Sequence, residues 1–313
     1  MAVVRSTCKS EKIFPFAGTT GASEAKRKTI NSRERIKLTK KIYEMITNQI
    51  IEKLKEGTVP WRKPFKNGLA VNWKNQKAYR GINTMLLDGG EYATFKQIKE
   101  ANGKVIAGSK SHLVVFWKML EVKDEEAEEG KKKVPMMRYY RVFKIGEQTE
   151  GIEPKQELEK FDHDPIEEAE KIKENYFNAP SFSFNSGGAW YKPFEDRVNV
   201  PPKGDFPDIN EYYSTLFHEM VHSTGHQDRL NRDGIIKHNS FGSKLYSKEE
   251  LVAELGASML CGVTGIDNET IDNSASYIQS WLNALRNDHT LIVSASQQAQ
   301  KASDHIQGIT FKK

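Results

Sequence analysis

The chain has 313 residues, of which 37% are hydrophobic and 28% charged, and its formal net charge is +5. It holds no run of about 18 apolar residues, which excludes a transmembrane helix of ordinary length. Residues 1–36 lack the apolar segment of a secretory signal and are rich in Lys, Arg, Ser and Thr, so we expect a cytoplasmic protein with a disordered tail there. The two cysteines, Cys8 and Cys261, are too few for a disulfide framework.

The charge is divided unevenly along the chain. Residues 1–150 hold 31 Lys and Arg against 17 Asp and Glu, a net charge of +14, and the remaining residues hold 16 against 25, a net charge of −9. A basic front half and an acidic back half predict two units with different partners, although a basic half can also be a merely solvated surface.

The first predicted element is an amphipathic helix over 37–56, with its apolar residues in one stripe and Gly57 at its end. The front half also contains four shorter predicted elements, two helices followed by two strands, at 83–87, 94–101, 113–119 and 137–145. The strands enclose a charged stretch, 121–133, that we expect to be a loop.

A segment rich in Pro, Gly and acidic residues, 151–170, predicts a linker between domains, with a helix beginning near its end. Beyond it we expect short strands at 181–185, 189–192 and 197–200, and then helices at 208–224, 248–261, 275–287 and 289–306. The pattern predicts an α+β protein with a small mixed domain at 37–150 and a second domain at 171–313.

The helix at 208–224 contains His218, Glu219 and His222, the H-E-x-x-H spacing of zincin metallopeptidases. Histidines four residues apart lie on one helix face, so two imidazoles can bind one ion. A glutamate beside them can take a proton from water activated by that ion. We therefore predict His218 and His222 as ligands of Zn²⁺, with Mn²⁺ or another divalent ion as an alternative, and Glu219 as the catalytic base.

The third ligand is left with three candidates. We favour Glu250, with Glu254 one turn later accepting a hydrogen bond from a histidine. If Ser247 and Glu250 instead form a capping box at a helix start, Glu254 becomes the ligand. Asp228 also fits, because it stands at the last ligand position of the metzincin spacing.

The basic front half interleaves aromatic and basic residues, which is typical of surfaces that stack on unpaired bases and neutralise phosphates. The same aromatic residues can equally belong to the core. The residues that we predict to contact single-stranded DNA are Trp61, Arg62, Lys63, Trp73, Tyr79, Arg80, Asn83, Lys96 and Gln97.

Several stretches together resemble the ArdC-type antirestriction proteins of conjugative elements. They are Val59–Phe65, Tyr79–Asn83, Thr94–Gln97, Val142-Phe143, His218–His226, Arg229–Arg232 and Tyr246–Glu254. The resemblance covers roughly residues 37–290, and the order and number of the motifs make it specific.

The resemblance implies a single-stranded DNA-binding domain followed by a zincin-like metallopeptidase domain, in a protein that protects the incoming DNA of a mobile element against host restriction. It also implies His218 and His222 as ligands and Glu219 as base, with a protein or peptide as substrate. The alternative is a DNA-protective binding protein whose metal site is structural or vestigial and which cleaves nothing.

Overall fold

The computed structural model describes residues 32–62, 69–123, 131–155, 164–237, 244–267 and 275–310. Most of the predicted tail lies outside these residues, but the first helix begins at Ser32, inside the stretch predicted as tail. Lys63, one of the predicted DNA contacts, also lies outside them.

The described residues form helices α1 (Ser32–Lys55), α2 (Asn83–Leu86), α3 (Phe95–Glu100), α4 (Pro165–Glu174), α5 (Ile209–Ser223), α6 (Asp233–Ile236), α7 (Lys244–Thr264), α8 (Ala275–Asn287) and α9 (Leu291–Ile306). They form strands β1 (Ala70–Asn72), β2 (Gly90–Thr94), β3 (Lys104–Val105), β4 (His112–Lys123), β5 (Lys131–Lys144), β6 (Thr149–Glu150), β7 (Ser181–Ser183), β8 (Trp190–Lys192) and β9 (Arg197–Asn199). The fold is α+β, as predicted. None of the helices described is both long and apolar enough to cross a membrane.

The front half is built on a four-stranded sheet with the order β1-β2-β5-β4. Its long antiparallel hairpin pairs β4 with β5 from His112 opposite Val142 to Lys123 opposite Lys131. The two predicted strands are confirmed, but they extend into the stretch predicted as a loop. Strands β1, β2, β3 and β6 were not predicted, because two to five residues are too few for an alternating pattern to stand out.

The back half places a three-stranded sheet, with the order β7-β9-β8, against α5. The predicted start of α5 is confirmed, since the Asp208 side chain accepts a hydrogen bond from the Asn210 amide at 2.9 Å. Helices α7 and α9 pack together, and α7 also packs along α5. Helix α4 contacts α7 although it begins inside the predicted linker.

The largest hydrophobic core joins the two halves. On its front side lie Ile42, Ile46 and Ile50 of α1, and α1 contacts α8 and α9. The Trp61 ring meets the ring of Trp281 edge-on, with the centroids 6.0 Å apart. The front half is therefore anchored to the helices that surround the predicted metal site.

Candidate metal centre

Helix α5 brings the two predicted histidine ligands together. The Nε2 atoms of His218 and His222 lie 3.1 Å apart. One helical turn separates the residues, so both imidazoles project from the same face. The opposite face is buried in the core through residues such as Leu216 and Met220, which fixes the rotation of the helix.

Helix α7 supplies the third side chain. The Glu250 carboxylate has one oxygen 3.6 Å from His218 Nε2 and the other 3.6 Å from His222 Nε2. The ligand atoms of these three residues all lie within 4.8 Å of one another. The helices come this close because α7 carries Gly256 where it crosses α5, and a Cβ atom there would lie 2.7 Å from a methyl group of Val221.

The three side chains fit a divalent cation. Bonds of 2.0–2.1 Å in a tetrahedral site put neighbouring ligand atoms about 3.3 Å apart. The two imidazole nitrogens lie 3.1 Å apart, close to this value, and each of them lies 3.6 Å from a different oxygen of the Glu250 carboxylate. Two imidazoles and one carboxylate suit Zn²⁺ and also Mn²⁺. The three ligands found among the described residues leave a position for water, as in catalytic rather than structural sites.

The rival third ligands lie elsewhere. Glu254 accepts a hydrogen bond from Arg62 at 2.9 Å, and Asp228 is largely exposed, with a carboxylate oxygen 3.5 Å from His226 Nδ1. Helix α7 begins at Lys244, so Ser247 lies inside the helix and the capping-box alternative does not apply.

The prediction that Glu254 accepts a hydrogen bond from a ligand histidine is wrong. That position belongs to Glu249, whose Oε1 lies 3.4 Å from His222 Nδ1. Glu249 and Glu254 occupy different faces of α7, and the rotation of the helix turns Glu249 toward His222 and Glu254 toward Arg62.

Glu249 is held in turn by Arg232, which sequence reasoning missed as part of the site. The Arg232 guanidinium donates to Glu249 at 2.6 Å and to the Val221 carbonyl at 2.8 Å, so it also ties the end of α5. Both side chains are buried. Arg232 ends the Arg229–Arg232 motif, which was the only signal for it in the sequence.

The acidic residues dominate the electrostatics of the centre. Burial by itself disfavours the imidazolium, but the Glu250 carboxylate, with Glu254 and Glu219 further away, raises the pKa of His218 to about 9. Burial also opposes ionisation of Glu250, yet its hydrogen bond with His218 lowers its pKa. The negative potential of these carboxylates, which favours a proton on His218, also favours a bound metal cation.

Glu219 is buried, with 8% of its surface exposed. Burial raises the pKa of its carboxyl group, whereas the nearby histidines lower it and Glu250 raises it further. A carboxylate with a raised pKa is a better proton acceptor than an exposed one, which suits the role predicted for Glu219.

A cavity of about 230 Å³ opens beside His218, and the front half forms part of its wall. Trp61 and Arg62 line it together with Glu211 and Glu254. Arg62 is fixed between the Glu254 carboxylate and the ring of Tyr277, whose centroid lies 4.0 Å from the guanidinium carbon. Two residues of the basic front half are therefore built into the surroundings of the metal centre.

Two family models match the chain. Residues 40–143 match the N-terminal domain of the anti-restriction factor ArdC, and residues 168–298 match a zincin-like metallopeptidase. The crystal structure of the metal-free antirestriction protein ArdC from plasmid R388 shares 36% sequence identity, with a TM-score of 0.68, and the match covers 85% of this chain and 97% of that one. The chain belongs to the ArdC family.

The Mn(II)-bound structure of the same ArdC protein matches with 34% identity and a TM-score of 0.67, covering 85% of this chain and 97% of that one. Uncharacterized protein y4eC of Sinorhizobium fredii is 33% identical over 84% of this chain and 90% of its own length. Two Escherichia coli proteins named DNA primase TraC are each 32% identical over 87% and 85% of this chain. The chain spans only 20% and 27% of the lengths of these two primases.

In this ArdC family member, four of the predicted DNA contacts are buried, namely Trp61, Arg62, Tyr79 and Asn83. Trp61 is only 1% exposed, and Tyr79 is also part of the core. The Asn83 side chain donates to the Val115 carbonyl at 2.9 Å and accepts from the Val115 amide at 2.8 Å, which fastens α2 to β4. Side chains that are enclosed in this way offer no free ring face or amide to a base, so we correct their assignment to a structural role.

Other predicted contacts also have structural partners. Arg62 and Arg80 form ion pairs with Glu254 and Asp304, both in the back half. Gln97 completes a capping box with Thr94 at the start of α3.

The last two predicted contacts lie nearer the surface. The Trp73 indole donates to the Glu153 carbonyl at 3.0 Å, and the Lys155 ammonium lies 4.3 Å from its ring. Lys96 is exposed, 3.7 Å from Glu100 on the next helical turn. The predicted set is thus spread over several surfaces and does not form one groove.

Proposed function

We propose that this ArdC family member is an antirestriction protein of a mobile element, which binds single-stranded DNA through its front half and carries a metal-dependent peptidase site in its back half. The main support for the enzymatic part is that the ligand atoms of His218, His222 and Glu250 lie close together, beside the buried Glu219. The ArdC structures from plasmid R388 and the zincin-like family match support both parts.

The residues divide the work of hydrolysis between them. His218, His222 and Glu250 hold the cation, for which zinc is our first choice and manganese the alternative. A bound divalent cation supplies Lewis acidity, lowering the pKa of water and polarising a peptide carbonyl. Glu219 accepts the proton of the attacking water and returns it to the leaving amine. Burial raises the pKa of its carboxyl group, which makes it a suitable proton acceptor. Glu249 and Arg232 keep the His222 ring in place.

Charge supports the DNA-binding part. The front half carries a net charge of +14, which favours a polyanionic partner and predicts that binding weakens steeply as salt concentration rises. Stacking on aromatic side chains requires unpaired bases, so we expect a preference for single strands over duplex.

Glu219→Gln tests the peptidase part. We expect the variant to retain one divalent ion per chain, measured by metal analysis, and to lose cleavage of an unstructured protein such as casein. His222→Ala should lose the ion and the cleavage together. Glu174→Gln, the same change at the exposed end of α4, is the matched control and should behave as the wild type. Wild-type protein that holds metal but cleaves no peptide would refute the enzymatic part.

The second candidate is a DNA-protective protein that cleaves nothing. The observation in its favour is the burial of Glu219, which limits the access of water to its carboxylate. The two candidates differ in plasmid transfer into a restricting host. If Glu219→Gln protects the transferred DNA as well as the wild type does, proteolysis is not the mechanism of protection, and the second candidate holds.

A further inference from the structure

The β4–β5 hairpin carries an aromatic and basic surface that lies outside the residues predicted to bind DNA. Residues directly opposite each other on paired strands share a face of the sheet. Phe116 lies opposite Arg138, and Val114 lies opposite Tyr140. Lys118, two residues after Phe116, projects from the same side. We call Phe116, Lys118, Arg138 and Tyr140 the hairpin face.

The two rings of the hairpin face are exposed but held in position. Phe116 is 43% exposed and Tyr140 is 44% exposed. Their centroids lie 5.8 Å apart, and the buried ring of Tyr79 lies 6.1 Å from Phe116 on its inner side. Rings that are supported from below lose little conformational entropy when a flat ligand stacks on them. The pair is therefore a stacking platform on a rigid sheet.

Arg138, opposite Phe116 on the paired strand, has no counterion among the described residues. Its Nε atom is buried and has no hydrogen-bond partner, and its guanidinium forms no ion pair with any other residue in the described part of the chain. A buried donor without a partner costs free energy, so such a group calls for an explanation. An anionic ligand that binds the guanidinium would supply the counterion that the described residues do not.

The two strand segments that carry the hairpin face contain charged residues of one sign. Residues 112–120 and 132–144 contain six Lys and Arg and neither Asp nor Glu. Lys144 pairs with Glu147 at 2.6 Å, whereas Lys118 and Arg138 form no ion pair with another residue in the part of the chain that the structure describes. The acidic residues of this stretch of sequence follow residue 120. Exposed rings beside Lys118 and Arg138 fit a ligand with both flat aromatic groups and repeated negative charge.

We propose that the hairpin face is the surface that binds single-stranded DNA, with bases stacked on Phe116 and Tyr140 and phosphates against Arg138 and Lys118. This inference rests on the DNA-binding part of the proposed function and assigns it to a surface. Paired bases in a duplex have their faces occupied by their neighbours, so the rings favour single strands.

The test compares Phe116→Ala and Tyr140→Ala with Tyr139→Ala. Tyr139 is the adjacent residue, 40% exposed and of the same type, but it projects from the opposite face of the hairpin. Binding of a labelled oligonucleotide is followed by fluorescence anisotropy. We expect each hairpin-face variant to lose roughly 5-fold to 150-fold in affinity, and Tyr139→Ala to stay within about twofold of the wild type.

Two further measurements separate stacking from charge. An abasic oligonucleotide of equal length should bind the wild type more weakly, but should bind the Phe116→Ala/Tyr140→Ala double variant as well as a normal oligonucleotide does. Arg138→Ala should make the slope of log affinity against log salt concentration less steep by about 0.7, the value for one phosphate contact on a single strand. Unchanged thermal unfolding of each variant shows that the fold is intact, and Tyr140→Leu serves if the alanine variant unfolds.

The outcomes distinguish this inference from the proposed function. If the wild type binds no single-stranded DNA, the DNA-binding part of the proposed function fails, and the inference fails with it. If the wild type binds single-stranded DNA and the hairpin-face variants bind it equally well, the assignment of binding to the hairpin face is refuted. The same holds if Tyr139→Ala loses as much affinity as Tyr140→Ala. In both cases the DNA-binding part of the proposed function still stands.

Discussion

Substitution of Gly256 by alanine should weaken metal binding without touching a ligand. A Cβ atom at this position would lie 2.7 and 2.8 Å from the two γ-methyl groups of Val221. Carbon atoms in contact are normally 3.5–4.0 Å apart, so α5 and α7 must separate locally by about 0.8 Å. His218 and His222 lie on α5 and Glu250 lies on α7, whereas metal–ligand distances tolerate about 0.2 Å. The separation therefore opens the ligand set.

The effect on stability is smaller than the effect on the metal site. Overfilling a packed contact costs about 1–3 kcal/mol, and replacing glycine by alanine inside a helix offsets about 1 kcal/mol of this. We expect Gly256→Ala to lower the free energy of unfolding by about 0–2 kcal/mol. For the affinity of Mn(II) we expect a loss of about tenfold or more, as is usual when the support of a metal ligand is disturbed.

Calorimetric titration with Mn(II) and thermal unfolding with and without the metal measure the two effects. Gly256→Ala combined with Val221→Ala is the decisive control, because it removes both methyl groups that the new Cβ atom meets. We expect the double variant to regain most of the metal affinity. A Gly256→Ala variant that binds Mn(II) as tightly as the wild type, or a double variant that stays as weak as the single one, would refute this reasoning.

Three other predictions follow from side-chain contacts. Arg232→Met leaves the Glu249 carboxylate buried without its cation, so metal affinity should fall by about 10-fold to 100-fold in calorimetric titration. Burial opposes ionisation of Glu170, but hydrogen bonds that its carboxylate accepts, first from Lys203, lower its pKa to about 2 from 4.5. This group therefore stabilises the fold above pH 4.5 and loses its effect as the pH falls toward 2, and chemical denaturation of Glu170→Gln should show a weaker pH dependence there. Trp61→Ala should cost about 3–5 kcal/mol of unfolding free energy because the indole is buried.

The metal site shows what local spacing can predict. Positions 218 and 222 share a helix face in any helix, so two ligands follow from the sequence alone. The third does not, because α7 carries Glu249, Glu250 and Glu254 within little more than one turn. Which of them faces the histidines depends on the rotation of α7, and that rotation is set by tertiary packing, including the close contact at Gly256.

The front half shows where composition misleads. Exposed rings at Phe116 and Tyr140 stand in strands that were predicted correctly, but the alternating pattern does not reveal which face the core covers. One face contributes Leu113, Val115 and Met137 to the large core that contains α1. The other face contributes Val114 and Val142 to a second, smaller core and leaves the rings of Phe116 and Tyr140 exposed. Which side chains of each face are covered is decided only by the packing of the whole chain.

Trp61 and Arg62 show why their residue types predicted a DNA contact although the two side chains have structural partners. An indole and a guanidinium suit nucleic acids because they stack and because they bind oxyanions in a planar geometry. The same properties serve inside the protein. Trp61 packs edge-on against Trp281, and Arg62 stacks on Tyr277 while it binds the Glu254 carboxylate. A base with its phosphate and a tyrosine with a neighbouring carboxylate present equivalent partners, so residue types alone cannot distinguish a DNA contact from the attachment of the front half beside a metal centre.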